Sequence, residues 1–444
     1  MMNGKHVLII GGGFAGITAA TRLRARGAQV TMFDDRASLG GRARSDNLEG
    51  WTIDIGAQLI ATSYVRTLAM LRDGDEAHAP ALRAMPGRDV FLRDGKAYPI
   101  NFGSLRSLLA FGAISGVDKV RLGVHLVPLL ARHRDALRVD GASIPRSLDE
   151  TAAGDFMRRV VSADASAALV EPVAAAFCGA RADEVSLAFY LTLGRYGSDG
   201  DVLAPGAGWS ALLERTLYGV QLKRATRVEA LEYTSDRVVV RTSEGDSWEG
   251  DAAVLATDAP AAARLLEPVL GDSAELTSWL RSVRYRATFT VAATTGSRLP
   301  REAFGVLPHN DGRVPVSALA VHGAKADPSG QPEGDVVLAW PTPDAADRLA
   351  NRAAAEIAAE MVPAIETLIP AARNRVGHVR VYRHEAGTPI PGPGFAADRA
   401  KGRTLSRDIG PPIALAGDYL TMPLLEGAVA SGDAAAHWLE RRLS

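Results

Sequence analysis

The stretch "VLIIGGGFAGITAATRL" (Val7–Leu23) decides the reading of the chain. Four apolar residues run into three consecutive glycines, and a run of good helix formers follows. The spacing Gly11-x-Gly13-x-x-Gly16 therefore falls between a predicted strand and a predicted helix. In that position Gly11 permits a tight turn, and Gly13 lets the backbone approach a pyrophosphate with no Cβ between them. Gly16 lets the helix lie close on the strand. The helix start, at Phe14 and Ala15, offers free N–H groups and the positive end of its dipole to the anion. Glycine-rich turns are common, so the spacing needs its context. "AQVTMFDDR" (Ala28–Arg36) supplies it as a second predicted strand that ends in acids. Asp34, with Asp35 beside it, lies about 20 residues past the glycines, where a dinucleotide fold places the carboxylate that holds the ribose hydroxyls. An acid there repels a 2′-phosphate. Both NAD and FAD remain open at this point.

The residues after the acid separate the two. "DDRASLGGRARSDNLEGWTIDIGAQLI" (Asp34–Ile60) resembles the signature of the flavin-containing amine oxidase and protoporphyrinogen oxidase superfamily, to which carotenoid-type desaturases are also related. In that signature an acid, a short spacer and Leu-Gly-Gly-Arg follow the second strand, and an Asp-x-Gly-Ala element comes about a dozen residues later. The matching positions are Asp34, Arg36, Leu39, Gly40, Gly41 and Arg42, then Asp54, Gly56 and Ala57. Arg42 is a forked, permanently charged donor suited to phosphate. The resemblance implies FAD, with Arg42 near its pyrophosphate and Gly56, Ala57 and Gln58 near the flavin.

The other end of the sequence agrees. "PPIALAGDYLTMPLLEGAVASGDAAAHWLERRL" (Pro411–Leu443) has a short apolar strand, then Gly417-Asp418, then Glu426-Gly427-Ala428 opening a helix. This is similar to the closing motif of the superfamily. The resemblance implies that Asp418 approaches the ribityl and pyrophosphate region. It also implies that the helix start, at Leu425 and Ala428, faces the flavin's pyrimidine edge, where a helix dipole stabilises negative charge. In the meander from Gln221 to Pro260 the position of Val228 approaches the adenine by the same resemblance. The implied fold class is α/β: a discontinuous, Rossmann-like FAD-binding domain of the glutathione-reductase type, with a mixed α+β substrate domain. The expected division gives 1–80, 205–265 and 395–444 to FAD, and 81–204 with 266–394 to substrate.

Composition is permissive. A chain of 444 residues, 47% hydrophobic, with a formal charge of −1, has material for two or three domains. It has no electrostatic reason to bind nucleic acid. No run reaches the length of a membrane span. The first strand begins by about residue 5, from which no signal peptide and a cytoplasmic location are expected. The single cysteine, Cys178, sits in the apolar "VAAAFCGA" and reads as a buried small hydrophobe rather than a nucleophile. The nine histidines include no His-x-x-x-His and have no partner cysteines, so no metal site is expected.

Between the two ends, residues 61–90 read as a helix leading away from the FAD domain. "DVFLRDGKAYPI" (Asp89–Ile100) reads as a hairpin turning at Asp94-Gly95. Residues 104–138 read as helical and apolar, broken by glycines and by Pro128. That stretch is either substrate-domain core or a membrane-contacting surface with Arg106, Arg121, Arg132 and Arg134 near the headgroups. "SLDETAAGDFMRRVVSADASAALVEPVAAAFCGARADEVSL" (Ser147–Leu187) resembles protoporphyrinogen oxidases at Phe156, Arg159, Pro172, Val173, Glu184 and Ser186. Gly206 and Gly208 lack a preceding strand and a partner acid, so they read as a helix entry. One helix is expected over about 343–368.

Amine oxidases of the superfamily carry a lysine near the flavin in the strand corresponding to Leu280–Gly296. Here that stretch holds Arg281, Arg284 and Arg286 but no lysine. Where those enzymes place an aromatic residue two positions before Glu-Gly-Ala, this chain has Leu424, and Met422, Leu424 and Leu425 suggest an apolar mouth. The departures favour the branch that dehydrogenates lipophilic molecules, because an apolar pocket cannot pair a cation. The expectation is an FAD-dependent oxidase or dehydrogenase that takes a hydride from a largely apolar small molecule, with O2 or another acceptor regenerating the flavin. The alternatives are an amine or amino-acid oxidase, a redox-neutral flavin-dependent isomerase and, last, a non-catalytic FAD scaffold. No catalytic base stands out. Gln58, Tyr285, Arg383 and His384 are pocket candidates, each with a structural role as its alternative.

Overall fold

The computed structural model describes residues 2–72, 82–85, 89–101, 105–141, 143–198, 201–271, 274–301, 303–325 and 331–443. Its organising element is a five-stranded parallel sheet built from β1 (His6–Ile10), β2 (Gln29–Phe33), β3 (Gln221–Lys223), β4 (Ala252–Leu255) and β5 (Ile413–Leu415). The strand order is β3-β2-β1-β4-β5, with Val7 opposite both Val30 and Ala252. Three distant parts of the sequence therefore close one sheet. A parallel sheet must be covered on both faces, and the alternation in β1 shows how this is done. Val7 and Ile9 point into a cluster with Ile17 and Ala20 of α1 (Phe14–Ala25) and with Val429 and Ala436 of the C-terminal helix (Leu425–Leu443). Leu8 and Ile10 face the other way, against Ala262 and Leu266 of the helix Ala259–Leu270 and Leu231, Val238 and Val240 of a three-stranded antiparallel sheet.

A seven-stranded sheet forms the second body. Its order is Val376–His384, Thr288–Thr295, Asp335–Pro341, Val316–Val321, Gly305–Pro308, Asp89–Arg93 and Lys96–Ile100. The helix Ala354–Leu368 covers one face through Ile357, Met361 and Ile365. The last two strands form the expected hairpin, with Arg93 paired to Lys96 and positive φ at both Asp94 (52°) and Gly95 (71°). That is the turn whose twist matches the strands it joins.

The structure departs from the sequence reading in four places. Gly206 and Gly208 do have a strand before them, Val202–Pro205, although they lead into the helix Trp209–Thr216 as expected. The helix expected over 61–90 runs from Val65 to Arg72, and the residues from 73 to 81 lie outside the described set. The break within 104–138 does not fall at Pro128. A short helix, Leu105–Ala110, is followed by α2 (Gly116–His133), which opens on a capping box between Ser115 and Asp118 and continues through Pro128. Pro128 and Val124 are on the exposed side, so water can serve the carbonyl that Pro128 leaves unpaired. The helix expected over 343–368 is two, Pro343–Leu349 and Ala354–Leu368. Among the described residues no helix is long and apolar enough to cross a membrane.

Gly432 marks the closest approach of the C-terminal helix to α1: a Cβ there would overlap the Ala15 carbonyl oxygen and lie 2.8 Å from Thr18 Cβ. Gly432→Val is expected to cost about 1–3 kcal/mol through overpacking. Thermal or urea unfolding would read this as a lower midpoint, and an unchanged midpoint would contradict the packing described.

Candidate active site

One cavity of about 1340 Å³ runs between the two sheets. It exceeds the roughly 300–1,000 Å³ of ordinary ligand pockets, which leaves room for a dinucleotide and a substrate together. Gly11, Gly13, Phe14, Ala15, Asp34, Asp35, Arg36, Gly40, Gly41, Arg42, Gly56, Ala57, Gln58, Val228, Gly417, Asp418, Leu425 and Ala428 all line it. Gly16 does not. It lies behind the loop, where a Cβ would overlap the Gly11 carbonyl oxygen.

The glycines shape one end of this cavity. Gly11 has φ 107°, and a Cβ on it would meet Ala256 O at 2.6 Å. A Cβ on Gly13 would meet nothing nearer than Gly41 Cα at 3.9 Å, so at Gly13 bare backbone faces open space. The Leu-Gly-Gly-Arg segment folds onto this loop, with Gly40 N donating to Gly12 O at 2.8 Å. Asp34 is held in place by two donors, Gly12 N at 2.6 Å to Oδ2 and Arg36 N at 2.8 Å to Oδ1. Burial raises its pKa, and those two donors pull it back.

Arg42 joins this end to the C-terminal motif. Its Nη2 donates to Asp418 Oδ1 at 2.6 Å and its Nη1 to Gly387 O at 2.9 Å, while 41% of the side chain stays open to the cavity. Arg36, Arg44, Arg227 and Arg264 line the same region. Their field is legible in His384, whose pKa falls to about 4 through burial and through Arg44, Arg42 and Arg36. Two helix starts, Phe14–Ala15 and Leu425–Ala428, add their N–H groups. An electropositive cradle with bare backbone and an acid beside it fits a dinucleotide. Glu426, by contrast, belongs to the framework: it is 1% exposed and accepts from Arg66 N, Thr67 N and Thr67 Oγ1, capping the helix Val65–Arg72.

Beyond the cradle the floor is set by an ion pair that the sequence reading missed. Lys325, 3% exposed, donates to Asp54 Oδ2 and, at 3.2 Å, to Gln58 Oε1. Gln58 Nε2 in turn donates to the carbonyls of Asp54 and Gly56, so the amide of this cavity-lining residue is fixed in place. The strand Thr288–Thr295 carries no lysine, as the sequence shows, but a lysine arrives behind Gln58 from the end of a different strand. Burial pushes the Lys325 pKa down, and Asp54 opposes that. No local signal marks Lys325, which lies 271 residues from its partner.

The remaining wall is mostly aliphatic: Leu108, Leu122, Leu126, Leu130, Leu169, Val173, Leu193 and Leu424. Met422, expected at the mouth, is fully buried and does not reach the cavity. Of the pocket candidates, Gln58, Arg383 and His384 line it, whereas Tyr285 accepts from Ala259 N at 3.2 Å and sits outside. Cys178 lines the cavity with its thiol pKa pushed up by burial, which suppresses the thiolate. The wall also carries polar groups, among them Asp89, Asn101 and Lys119; burial raises the pKa of Asp89 to about 6, partly offset by the Gly305 amide. Among the described residues no group of His, Cys, Asp and Glu could hold a metal ion.

Comparison with known proteins follows from this geometry. Residues 14–437 match the model of the flavin containing amine oxidoreductases. A coproporphyrinogen III oxidase of Propionibacterium freudenreichii subsp. freudenreichii is 26% identical over 436 residues, covering 82% of this chain and 77% of that protein. A putative protoporphyrinogen oxidase from Exiguobacterium sp. 255-15 superposes with a TM-score of 0.76 at 20% identity, over 100% of both chains. A putrescine oxidase variant superposes with a TM-score of 0.75 at 16% identity, over 99% of each. At those identities the two structures share the fold.

Two substitutions test the cavity wall and the ion pair behind it. Lys325→Met leaves the Asp54 carboxylate buried without its cation and is expected to cost about 3–5 kcal/mol in chemical denaturation. A loss below about 1 kcal/mol would show that the pair is not buried as described. Asp89 binds its proton more tightly in the folded chain than in the unfolded one, so its contribution to stability falls as pH rises from about 4 through 6. Asp89→Asn is therefore expected to stabilise the protein near pH 8 by up to about 3 kcal/mol, with the gain vanishing by about pH 4. Equal gains at both pH values would overturn the assignment.

Proposed function

The chain belongs to the flavin-containing amine oxidoreductase family, and from that premise we propose that it removes a hydride from a largely apolar small molecule of the porphyrinogen or polyene kind. It is an FAD-dependent oxidoreductase. Bound FAD supplies the hydride acceptor, and O2 or another acceptor takes the electrons onward. Residues 1–80, 205–265 and 395–444 form the part that holds FAD, and 81–204 with 266–394 the part that holds substrate. The reading makes this a bacterial cytoplasmic enzyme whose substrate partitions into lipid, so contact with a membrane surface belongs to it.

The observation that carries the proposal is the change of chemistry along one cavity, from arginines and bare backbone at the glycine loops to a wall of leucines and valines beyond Gln58. In this reading Gly13, Gly41 and the start of α1 would hold the pyrophosphate, Asp34 the ribose, and Arg42 with Asp418 the linker toward the flavin. Gln58, locked by Lys325 and Asp54, would lie against the flavin. The aliphatic wall orients an apolar substrate and excludes water from the transfer. It offers a charged amine little, since an unpaired cation there bears a desolvation cost of several kcal/mol. Amine oxidation is the second reading, favoured by Asp89, a carboxylate in that wall able to pair an ammonium.

An absorption spectrum of the purified protein, followed by anaerobic mixing, tests the proposal. Bleaching of the flavin band by coproporphyrinogen or a polyene, and not by a panel of amines, is the expected result. Bleaching by amines alone would replace it with the second reading, and a product shifted in its double bonds without net flavin reduction would make the protein an isomerase. Gly13→Val adds a side chain where the protein leaves open space. The variant should fold with an unchanged melting temperature in its apo form yet bind FAD at least about tenfold more weakly, a ~1.4 kcal/mol loss. Full flavin retention would place the pyrophosphate elsewhere.

A further inference from the structure

We propose that Asp89 receives a hydrogen-bond-donating end of the substrate, an ammonium, hydroxyl or N–H group remote from the bond that is oxidised, and that it rejects molecules carrying a carboxylate there. This rests on the reading of a largely apolar substrate oxidised by flavin and specifies one of its ends.

Strand register places Asp89 far from the reacting end. Across the seven-stranded sheet Ala292 pairs with Leu338, Leu338 with Ala320 and Ala320 with Gly305. The pairing of Val306 with Val90 then sets Gly305 beside Asp89. Thr290, two residues before Ala292 and so on the same face, donates to the Ile55 carbonyl in the segment that leads to Gln58. Thr290, Ala320, Gly305 and Asp89 all line the cavity. Four strand-to-strand steps separate the strand of Thr290 from that of Asp89, about 19 Å of sheet. A substrate group held at Asp89 is therefore not the group that reacts beside Gln58.

The carboxyl is also short of partners. A carboxylate has about four acceptor positions, and among the described residues Asp89 receives one donor, the Gly305 amide, and no cation. Glycine makes the room for it, since a Cβ on Gly305 would overlap Asp89 Oδ1. Other buried acids of the chain are better served: Asp149 accepts from the Ala396 and Ala397 amides, and Asp335 from those of Gly323 and Val336. The basic side chains of the surrounding wall are engaged elsewhere. Lys119 donates to the Leu109 carbonyl, Arg286 to Glu184 and Asp347, and Arg383 to the Ala350 and Arg352 carbonyls. Burial pushes the Asp89 pKa up to about 6, so the side chain costs stability at neutral pH. A polar group kept at such a loss in a ligand cavity marks a functional position.

What completes Asp89 is a donor. A hydroxyl or N–H supplies a bond that the protein omits, and a cationic nitrogen adds charge to it, which roughly doubles its strength. A carboxylate would set two like charges in a site poor in water, where one of them must take up a proton or stay out. Between the substrate kinds considered above, this selects against a porphyrinogen that points a carboxylate side chain at Asp89. It favours a polyene or ring system that ends in a hydroxyl or a basic nitrogen.

Calorimetric titration of the FAD-loaded protein with decylamine, decanol and decanoate at about pH 8, where Asp89 is ionised, tests this. The three probes differ only at the polar end. Decylamine is expected to bind at least about tenfold tighter than decanoate, the effect of a hydrogen bond to a charged group, with decanol between them. Asp89→Asn should erase the preference for the amine and leave decanol binding as it was. Asp89→Ser, a smaller side chain at the same position, should erase that preference as well. Retained flavin absorbance and a melting temperature no lower than that of the wild type would certify both folds. Equal affinity of the wild type for decylamine and decanoate overturns the assignment. So does a failure of all three probes to bind, and so does a preference that Asp89→Asn keeps. Anaerobic bleaching by a polyene and by a porphyrinogen, run on the same preparations, keeps the two readings apart. Bleaching without an end-group preference removes the role of Asp89 alone, and a preference without bleaching removes the hydride-transfer reading alone.

Discussion

Asp54 is a carboxylate with 1% exposure that receives Ser45 Oγ at 2.6 Å and Trp209 N at 2.9 Å on one oxygen and Lys325 on the other. Ionised groups are tolerated at that depth only when every partner is present, so Asp54 dictates where three separate parts of the chain must meet. The hairpin of Ser45–Leu48 and Trp51–Asp54 is pinned to the start of the helix Trp209–Thr216 and to the turn after the strand Val316–Val321. The first two belong to the body around the parallel sheet, and Lys325 comes from the seven-stranded sheet. The ion pair therefore sets the spacing of the two bodies at the point where the cavity passes between them.

On either side of that point the cavity is made in opposite ways. Toward the glycine loops its surface is largely backbone: glycines without side chains and two helix starts, with Arg42 held by both Asp418 and the Gly387 carbonyl. Toward α2 it is side chains, mostly aliphatic, with Asp89, Asn101 and Lys119 among them. The two chemistries suit the two halves of one task, since a pyrophosphate is recognised by N–H groups and positive charge, and a lipophilic ring or chain by area removed from water. Gln58 and Arg42 lie near the boundary, and each is held by a partner distant in sequence.

What could be read from the sequence was local. The strand, glycines, helix and acid that announce the dinucleotide site all lie within the first 36 residues, and each is a statement about spacing along the chain. The Asp94-Gly95 turn was legible for the same reason. Lys325 was not, because nothing in its neighbourhood distinguishes it from a surface lysine until the fold carries it to Asp54. The elevated pKa of Asp89 likewise comes from burial that no local pattern encodes. The stretch 104–138 shows a subtler limit. Its apolar periodicity was visible, but periodicity says that a helix has an oily side and not which side meets solvent. Pro128 suggested a break and instead lies on the exposed side of a continuous helix, where the missing N–H is inexpensive. Glu426 reads as part of a cofactor motif, yet its carboxylate serves the helix Val65–Arg72.

The strand order β3-β2-β1-β4-β5 also bears on how the chain is made. β1 leaves the ribosome early, but β4 is synthesised some 240 residues later and β5 near the other end of the sequence. At translation rates of about 5–20 residues per second, roughly 20–80 s separate the appearance of Ile10 from that of Leu415. For the first part of that interval, until Ala252–Leu255 is made, the edge of β1 that belongs to β4 has no native partner, and throughout it the Asp418 end of the cradle does not exist. Nascent chains must therefore wait with an apolar strand edge uncovered, the condition in which chaperones hold a polypeptide and premature termination yields aggregates. The two ends of the cradle, at Gly11 and at Asp418, therefore come together only after nearly the whole chain has been made.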